Sequence, residues 1–262
     1  MILKALEKMK SSSMLVGKKL LIWGVVSLAL FLFVAFLVFS GLTQSLDARG
    51  ALALNTGLGS TFTSLMIAAT KYGREYFWIG IVALMLVFGD KSTRVLAIEL
   101  AALFVVGIVV GELLKIIVYR ARPYETVVGI IRRVAPDTDS SFPSGHALIV
   151  SIGSAFTLVK FRHKALALLL TLEAAVVCYS RVYVGMHYPL DVAAGILIGV
   201  AIVLIGLTVI ESFFMRLVDL VASAFDRIFK SIHLYGRTFV LQTWCLRATI
   251  FDLVRILETN VD

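Results

Sequence analysis

Apolar residues in this chain gather into six runs, at roughly 20–41, 76–89, 95–118, 147–160, 165–184 and 190–213, separated by short polar segments. A helix crossing the hydrocarbon core of a bilayer needs about 20 mostly apolar residues. Four runs meet that length unaided, while the second and fourth need flanking residues. The pattern predicts an all-α protein with a six-helix transmembrane bundle over residues 1–213. The mixed stretch 42–75 reads as one or two helices lying at the interface. Beyond the bundle, Leu217, Leu220, Val221, Ala224, Phe225, Ile228 and Phe229 recur at helical spacing. Arg216, Asp219, Ser223, Asp226, Arg227 and Lys230 fill the opposite face. A tail over 214–262 is therefore expected to begin with an amphipathic helix. Its second apolar segment, 238–257, leaves three readings open: packing beside that helix, self-association, or service to a partner.

Composition supports the membrane reading, since 60% of the 262 residues are hydrophobic and only 16% are charged. A net charge of +8 could suggest nucleic acid, but the basic residues are scattered between apolar spans and form no continuous stripe. They fit a topology signal instead. Lys4, Lys8, Lys10, Lys18 and Lys19 against Glu7 hold the N-terminus in the cytoplasm, and Lys91, Arg94, Lys160, Arg162 and Lys164 follow on the same side. Segments 42–75, 119–146 and 185–189 then emerge on the outer face, and the tail lies inside. The first run is too long for a signal peptide and has no small-x-small site directly after it, so it reads as an uncleaved anchor. Cys178 and Cys245 fall on different segments and read as apolar fillers. Trp23 and Trp78 are expected at the membrane boundary. Gly107 with Gly111 and Gly195 with Gly199 permit close helix approach, either inside the bundle or at a homodimer seam.

Three polar clusters fall on the predicted outer face. In KIIVYRARP, Lys115 and Arg122 stand seven residues apart, about two helical turns, and share a face if the helix runs up to Pro123. SFPSGHA at 141–147 places Pro143, Ser144, Gly145 and His146 at a helix start. SRVYVGMHYPLD carries Ser180, Arg181, His187 and Asp191. Each cluster alone has a plain explanation, because basic residues snorkel and aspartate favours a first helical turn. Their gathering on one membrane face, where buried charge costs several kcal/mol, does not. Three cations suit a multiply charged tetrahedral oxyanion. Pro143 fits a first turn, Ser144 offers a hydroxyl, and Gly145 lets backbone N–H groups approach an anion. One histidine could attack phosphorus with Asp191 holding its other nitrogen, leaving the second to protonate the departing oxygen. Three nearby cations argue against a divalent metal, so no metal or other cofactor is expected.

Lys115 and Arg122-Pro123 with six residues between, PSGH at 143–146, and Ser180-Arg181 with His187 and Asp191 resemble the three signature motifs of the type 2 phosphatidic acid phosphatase superfamily. These are membrane lipid phosphatases, and the matching motifs span residues 115–191. The resemblance implies an outward-facing site with a phosphohistidine on His187, Asp191 as its orienting partner and His146 as acid to the leaving group. It implies Lys115, Arg122, Ser144, Gly145 and Arg181 as phosphate ligands. The substrate would be a phosphomonoester or diphosphate of a lipid, with polyprenyl diphosphate, phosphatidic acid and phosphatidylglycerol phosphate all compatible.

Other polar residues are open. His163 and His233 read as solvated, and Glu112 as a partner for Lys115 one turn away. Glu99 and Glu173 lie in predicted spans and are functional candidates by position, Glu173 with a hydrogen-bonded or protonated packing role. Arg132 and Arg133 either steer an anionic headgroup or are solvated. Three rivals to hydrolysis stand: an anion or lipid transporter using the same cations, a phosphotransferase to an acceptor other than water, and an inactive scaffold.

Overall fold

The computed structural model describes residues 2–209. The amphipathic helix expected from residue 216, the segment 238–257, Cys245 and His233 lie outside them. Among the described residues all regular structure is helical: α1 (Ile2–Phe39), α2 (Gln44–Leu54), α3 (Ser60–Tyr72), α4 (Glu75–Phe88), α5 (Lys91–Ile117), α6 (Pro123–Thr126), α7 (Gly145–Lys160) and α8 (Lys164–Tyr183), followed by α9 (Pro189–Val209). Four stretches are long and apolar enough to cross a bilayer: Gly17–Phe39, Ser92–Ile117, Lys164–Tyr183 and Pro189–Val209. The shorter α4 and α7 are also apolar. The stretch 42–75 divides into α2 and α3.

Local chemistry sets several of these boundaries. Asp90 caps α5, its carboxylate accepting from the Thr93 amide at 2.8 Å and the Ser92 hydroxyl at 3.0 Å. Ser144 occupies the same position ahead of α7. Gly185 takes a left-handed φ of 81° in the tight link from α8 to α9, a conformation that favours glycine. His187 follows two residues later.

The far end of α5 departs from expectation. The helix stops at Ile117, well short of Pro123, so Lys115 and Arg122 do not share a helical face. The cause is a competing set of hydrogen bonds. The Ser140 hydroxyl donates to the Val118 carbonyl at 2.8 Å and accepts from the Arg120 amide at 3.0 Å, and the Ser141 amide donates to the Arg120 carbonyl at 2.9 Å. Extended backbone at 118–121 is thereby satisfied without a further helical turn.

Helix α7 is buried over most of its length and packs against α5 and α8. Both glycine pairs serve that packing inside the chain. A Cβ on Gly195 would lie 2.5 Å from the Ser144 carbonyl oxygen and 2.9 Å from the Ala147 Cβ, and one on Gly199 would lie 2.6 Å from the Leu148 carbonyl oxygen. Gly107 meets Leu148 and Ile152 in the same way, and Gly111 meets Leu148. Gly195→Ala is therefore expected to force α9 off the start of α7, costing about 1–3 kcal/mol. Thermal unfolding in detergent checks the stability loss, and a parallel fall in turnover is expected because His146 rides on that turn.

Trp78 is not a boundary anchor. It is 1% exposed, its indole fills the slot left by Gly153, and its ring meets Phe104 edge-on at 5.9 Å. Burying so large an apolar ring outweighs its interfacial preference. Trp23 stays exposed. Arg133 also has a different task from either expected one. It donates to the Tyr183 carbonyl at 2.7 Å and the Asn55 carbonyl at 2.8 Å, while Asn55 bonds both backbone groups of Ile131. Together they fasten the 127–141 segment to α2 and the end of α8. Arg132 lies 5.1 Å from the Tyr124 ring centre.

Candidate active site

Six of the expected residues line one cavity of about 420 Å³: Lys115 from the end of α5, Arg122 ahead of α6, Gly145 and His146 at the start of α7, Arg181 near the end of α8, and His187 in the link to α9. Segments far apart in sequence thus meet at one polar pocket. Ser144 and Asp191 do not line it. Ser144 is fully buried as the N-cap of α7, its hydroxyl 3.5 Å from the Ala147 amide. Asp191 is fully buried behind His187.

The tautomer of His187 follows from its neighbours. Burial first, then the charges of Arg181 and Arg122, hold its imidazole well below the usual histidine range. The ring is neutral, and Nδ1 lies 2.7 Å from the Ser141 carbonyl, which can only accept. Nδ1 therefore carries the proton and Nε2 keeps its lone pair, 3.5 Å from Arg122 Nη1 at the cavity.

Asp191 does not take the Nδ1 proton directly, its Oδ2 being 3.7 Å away. The carboxylate is occupied by the Ser141 hydroxyl at 2.9 Å, the Tyr188 amide at 2.9 Å and Arg120 Nη1 at 2.5 Å. It orients the histidine through Ser141: Asp191 fixes the side chain of the residue whose carbonyl holds the ring.

Arg120 was not singled out from the sequence. It is 9% exposed and joins two carboxylates, Asp47 of α2 at 2.7 Å and Asp191 of α9, with its guanidinium 3.9 Å from the Tyr188 ring centre. The available signal was Asp47, an acidic residue close to an apolar segment whose neighbouring cation, Arg49, is two positions on and so off its helical face.

The cations are held by acidic residues of the 127–141 segment. Asp139 bridges Lys115, at 2.5 Å, and Arg122. Asp137 lies 3.3 Å from Arg122 Nη2 and 3.7 Å from Arg181 Nη2. Burial raises the Asp139 carboxyl, but the hydrogen bonds from Lys115 and Arg122 overcome it and bring the pKa down to about 2. Lys115 also reaches Glu112 at 3.4 Å, the expected pairing. Arg181 donates to the Thr70 hydroxyl at 2.6 Å, while its buried Nε has no partner among the described residues. An incoming oxyanion would satisfy that donor. His146 Nε2 lies 3.2 Å from the Thr70 carbonyl, so that nitrogen carries the proton and Nδ1 faces Arg74 at 3.5 Å. The set suits an anion. Among the described residues no three of His, Cys, Asp and Glu gather as metal ligands.

Outside the cavity, Glu99 lies 3.9 Å from Lys160. Both Glu173 carboxylate oxygens are buried without a hydrogen bond of ordinary geometry among the described residues, and the Trp78 indole is the donor that acts on them, so the hydrogen-bonded and the protonated packing roles both stand.

Comparison with known proteins points to one family over part of the chain. Residues 95–214 match the model of the PAP2 superfamily. The chain is 48% identical over 140 residues to an undecaprenyl-diphosphatase of Sulfolobus acidocaldarius, covering 53% of this chain and 66% of that protein. It is 34% identical over 131 residues to the bacitracin transport permease protein BcrC of Bacillus licheniformis, covering 50% of this chain and 63% of that one. The match thus spans just under two thirds of either relative. Among solved structures, the transmembrane PAP2 type phosphatidylglycerolphosphate phosphatase of Bacillus subtilis superposes with a TM-score of 0.59 at 22% identity, over 74% of this chain and 96% of that chain, a likeness of fold. With its apolar helices and all three sequence clusters meeting at one cationic pocket, the chain is similar to the PAP2 superfamily over residues 95–214.

Proposed function

We propose that this protein is a metal-independent integral membrane phosphatase that cleaves a lipid diphosphate through a phosphohistidine. The observation that carries the reading is the neutral His187, whose free Nε2 stands at a pocket edged by Lys115, Arg122 and Arg181. Nε2 attacks phosphorus and the bond from phosphorus to the leaving oxygen breaks; His146 Nδ1, unprotonated in the resting site, first takes a proton from the incoming acidic phosphate and then passes it to that oxygen. Water then attacks the phosphohistidine, His146 takes its proton, and phosphate departs with His187 restored. Lys115, Arg122 and Arg181, with the amides of Gly145 and His146 that have no intrahelical acceptor, stabilise charge on the transferring group. Substrate must displace Asp137 and Asp139 from these cations. Asp191 and Ser144 act indirectly, by holding Ser141 and the α7 turn.

In the membrane, α1, α4, α5, α7, α8 and α9 make six crossings with lysine-rich ends in the cytoplasm and the pocket outside. A polyprenyl diphosphate is the favoured substrate because the relative that is 48% identical is an undecaprenyl-diphosphatase. A transporter would use the same cations, and one relative is named as a permease. Transport gives no role to a histidine held in one tautomer. A panel of lipid phosphates assayed with purified protein tests the proposal. Polyprenyl diphosphate should release phosphate fastest, with EDTA leaving the rate intact. No release from any lipid phosphate overturns the phosphatase reading, and phosphate appearing on an added alcohol or sugar makes the protein a transferase.

A further inference from the structure

Arg74 belongs to none of the three sequence clusters, yet its guanidinium enters the same cavity. It sits in the short link between α3 and α4. The end of α3 is pinned to the site because Thr70 contacts both His146, through its carbonyl, and Arg181, through its hydroxyl. Arg74 Nη2 meets the exposed carboxylate of Glu75, while Nη1 turns inward to within 3.5 Å of His146 Nδ1. A Cβ on Gly145 would lie 3.6 Å from Lys115 Nζ and 3.8 Å from Arg74 Nη1, so both cations overhang that glycine.

The two histidines therefore each have an arginine. Arg122 stands by His187 and Arg74 stands by His146, both at 3.5 Å. In phosphoryl transfer the attacking and leaving oxygens or nitrogens lie roughly in line on opposite sides of phosphorus. With His187 attacking, Arg122, Lys115 and Arg181 surround the group that moves. With His146 as the acid to the leaving oxygen, Arg74, 3.5 Å from His146 Nδ1, stands on the side where that group departs. A monoester leaves as an alcohol, which carries no charge once His146 has supplied a proton. A diphosphate leaves as a lipid monophosphate, which keeps negative charge next to Arg74. A cation placed there is useful only to the second kind of substrate.

We propose that Arg74 recognises the phosphate that stays on the lipid, and so selects diphosphates over monoesters at this site. The inference rests on the phosphatase reading above. The test compares kcat/KM of wild type, Arg74→Gln and Arg74→Lys on farnesyl diphosphate and farnesyl monophosphate, in detergent, with thermal unfolding as the control for folding. Charge-assisted hydrogen bonds of this kind predict a fall of about 10- to 100-fold on the diphosphate for Arg74→Gln, against less than about threefold on the monophosphate. Arg74→Lys should recover part of the diphosphate rate. An equal loss on both substrates, or no loss on either, in the folded variants overturns the selectivity. Should Arg74→Gln fail to fold, the ratio of the two rates in Arg74→Lys decides alone, and an unchanged ratio overturns it. Wild type active on neither substrate overturns the phosphatase reading itself, which is a separate result.

Discussion

His187→Ala should abolish both turnover and the covalent transfer of labelled phosphate to the protein. Removing a nucleophile that acts together with its supporting groups costs on the order of 10⁴- to 10⁶-fold in kcat. The cations remain in such a variant, so binding of the phosphate head group should persist while chemistry stops. Labelled diphosphate followed by rapid quench and gel separation reads the intermediate, since phosphohistidine survives alkali and is lost in acid. Near-normal turnover in the variant, or label retained on it, would remove His187 from the nucleophile's role.

The pH dependence follows from the same residue. Burial and the charges of Arg181 and Arg122 depress the His187 pKa, so the attacking lone pair persists below the usual histidine value of about 6.5. The acid limb of kcat/KM attributable to this group should therefore lie well below that value and be flat above it. Stability runs in the same direction, because the unfolded chain binds the proton that the folded one refuses. The contribution is complete above the unfolded value and is lost as pH falls toward the folded one. Asp139 follows the same sign in a lower window, from its ordinary 3.8 down to about 2. An acid limb centred above 6.5 that moved with His187 chemistry would contradict the depressed pKa.

The parts of this protein that were legible in advance depend on local composition. Six apolar runs declared themselves because bilayer solvent demands uninterrupted apolar length, and α4 and α7 fell short of that length in the sequence as they do in the fold. Lys115, Arg122, His146, Arg181 and His187 stood out because charges and imidazoles are costly in apolar surroundings. Other features depend on which backbone arrives from far away. The end of α5 at Ile117 is decided by Ser140, more than twenty residues on, and no local breaker marks it. Trp78 left the boundary because Gly153 opened a slot for it. The acceptor for His187 Nδ1 is a backbone carbonyl, which has no letter in a sequence, and Asp191 at helical spacing was the nearest visible substitute. Arg74 and Arg133 carried the same charge as many residues that do little. Their neighbours, His146 in one case and Asn55 with Tyr183 in the other, give them different tasks.

Arg120→Ala should produce the largest loss of stability of any single substitution at this site, about 3–5 kcal/mol. The magnitude comes from what is left behind. Arg120 compensates Asp47 and Asp191, which are 3% and 0% exposed, and its removal leaves two buried carboxylates without a counter-charge. It also vacates the contact with the Tyr188 ring. Arg120→Lys keeps a charge but not the fork that reaches both carboxylates, so it should restore only part of the loss. Truncating the exposed Arg49 in the neighbouring helix should change little and serves as the control. Thermal unfolding in detergent measures the series. The decisive comparison is Asp47→Ala with Arg120→Ala in one chain. If the cost of either single change arises from stranding the other's charge, the double variant must lose less than the sum of the two, by about 0.5–3 kcal/mol. Strict additivity would mean that Arg120 stabilises the fold by packing alone. The link it makes from α2 through Asp191 and Ser141 to the His187 ring would then be a bystander, and Arg120→Ala should unfold early yet retain the His187 tautomer and full turnover at low temperature.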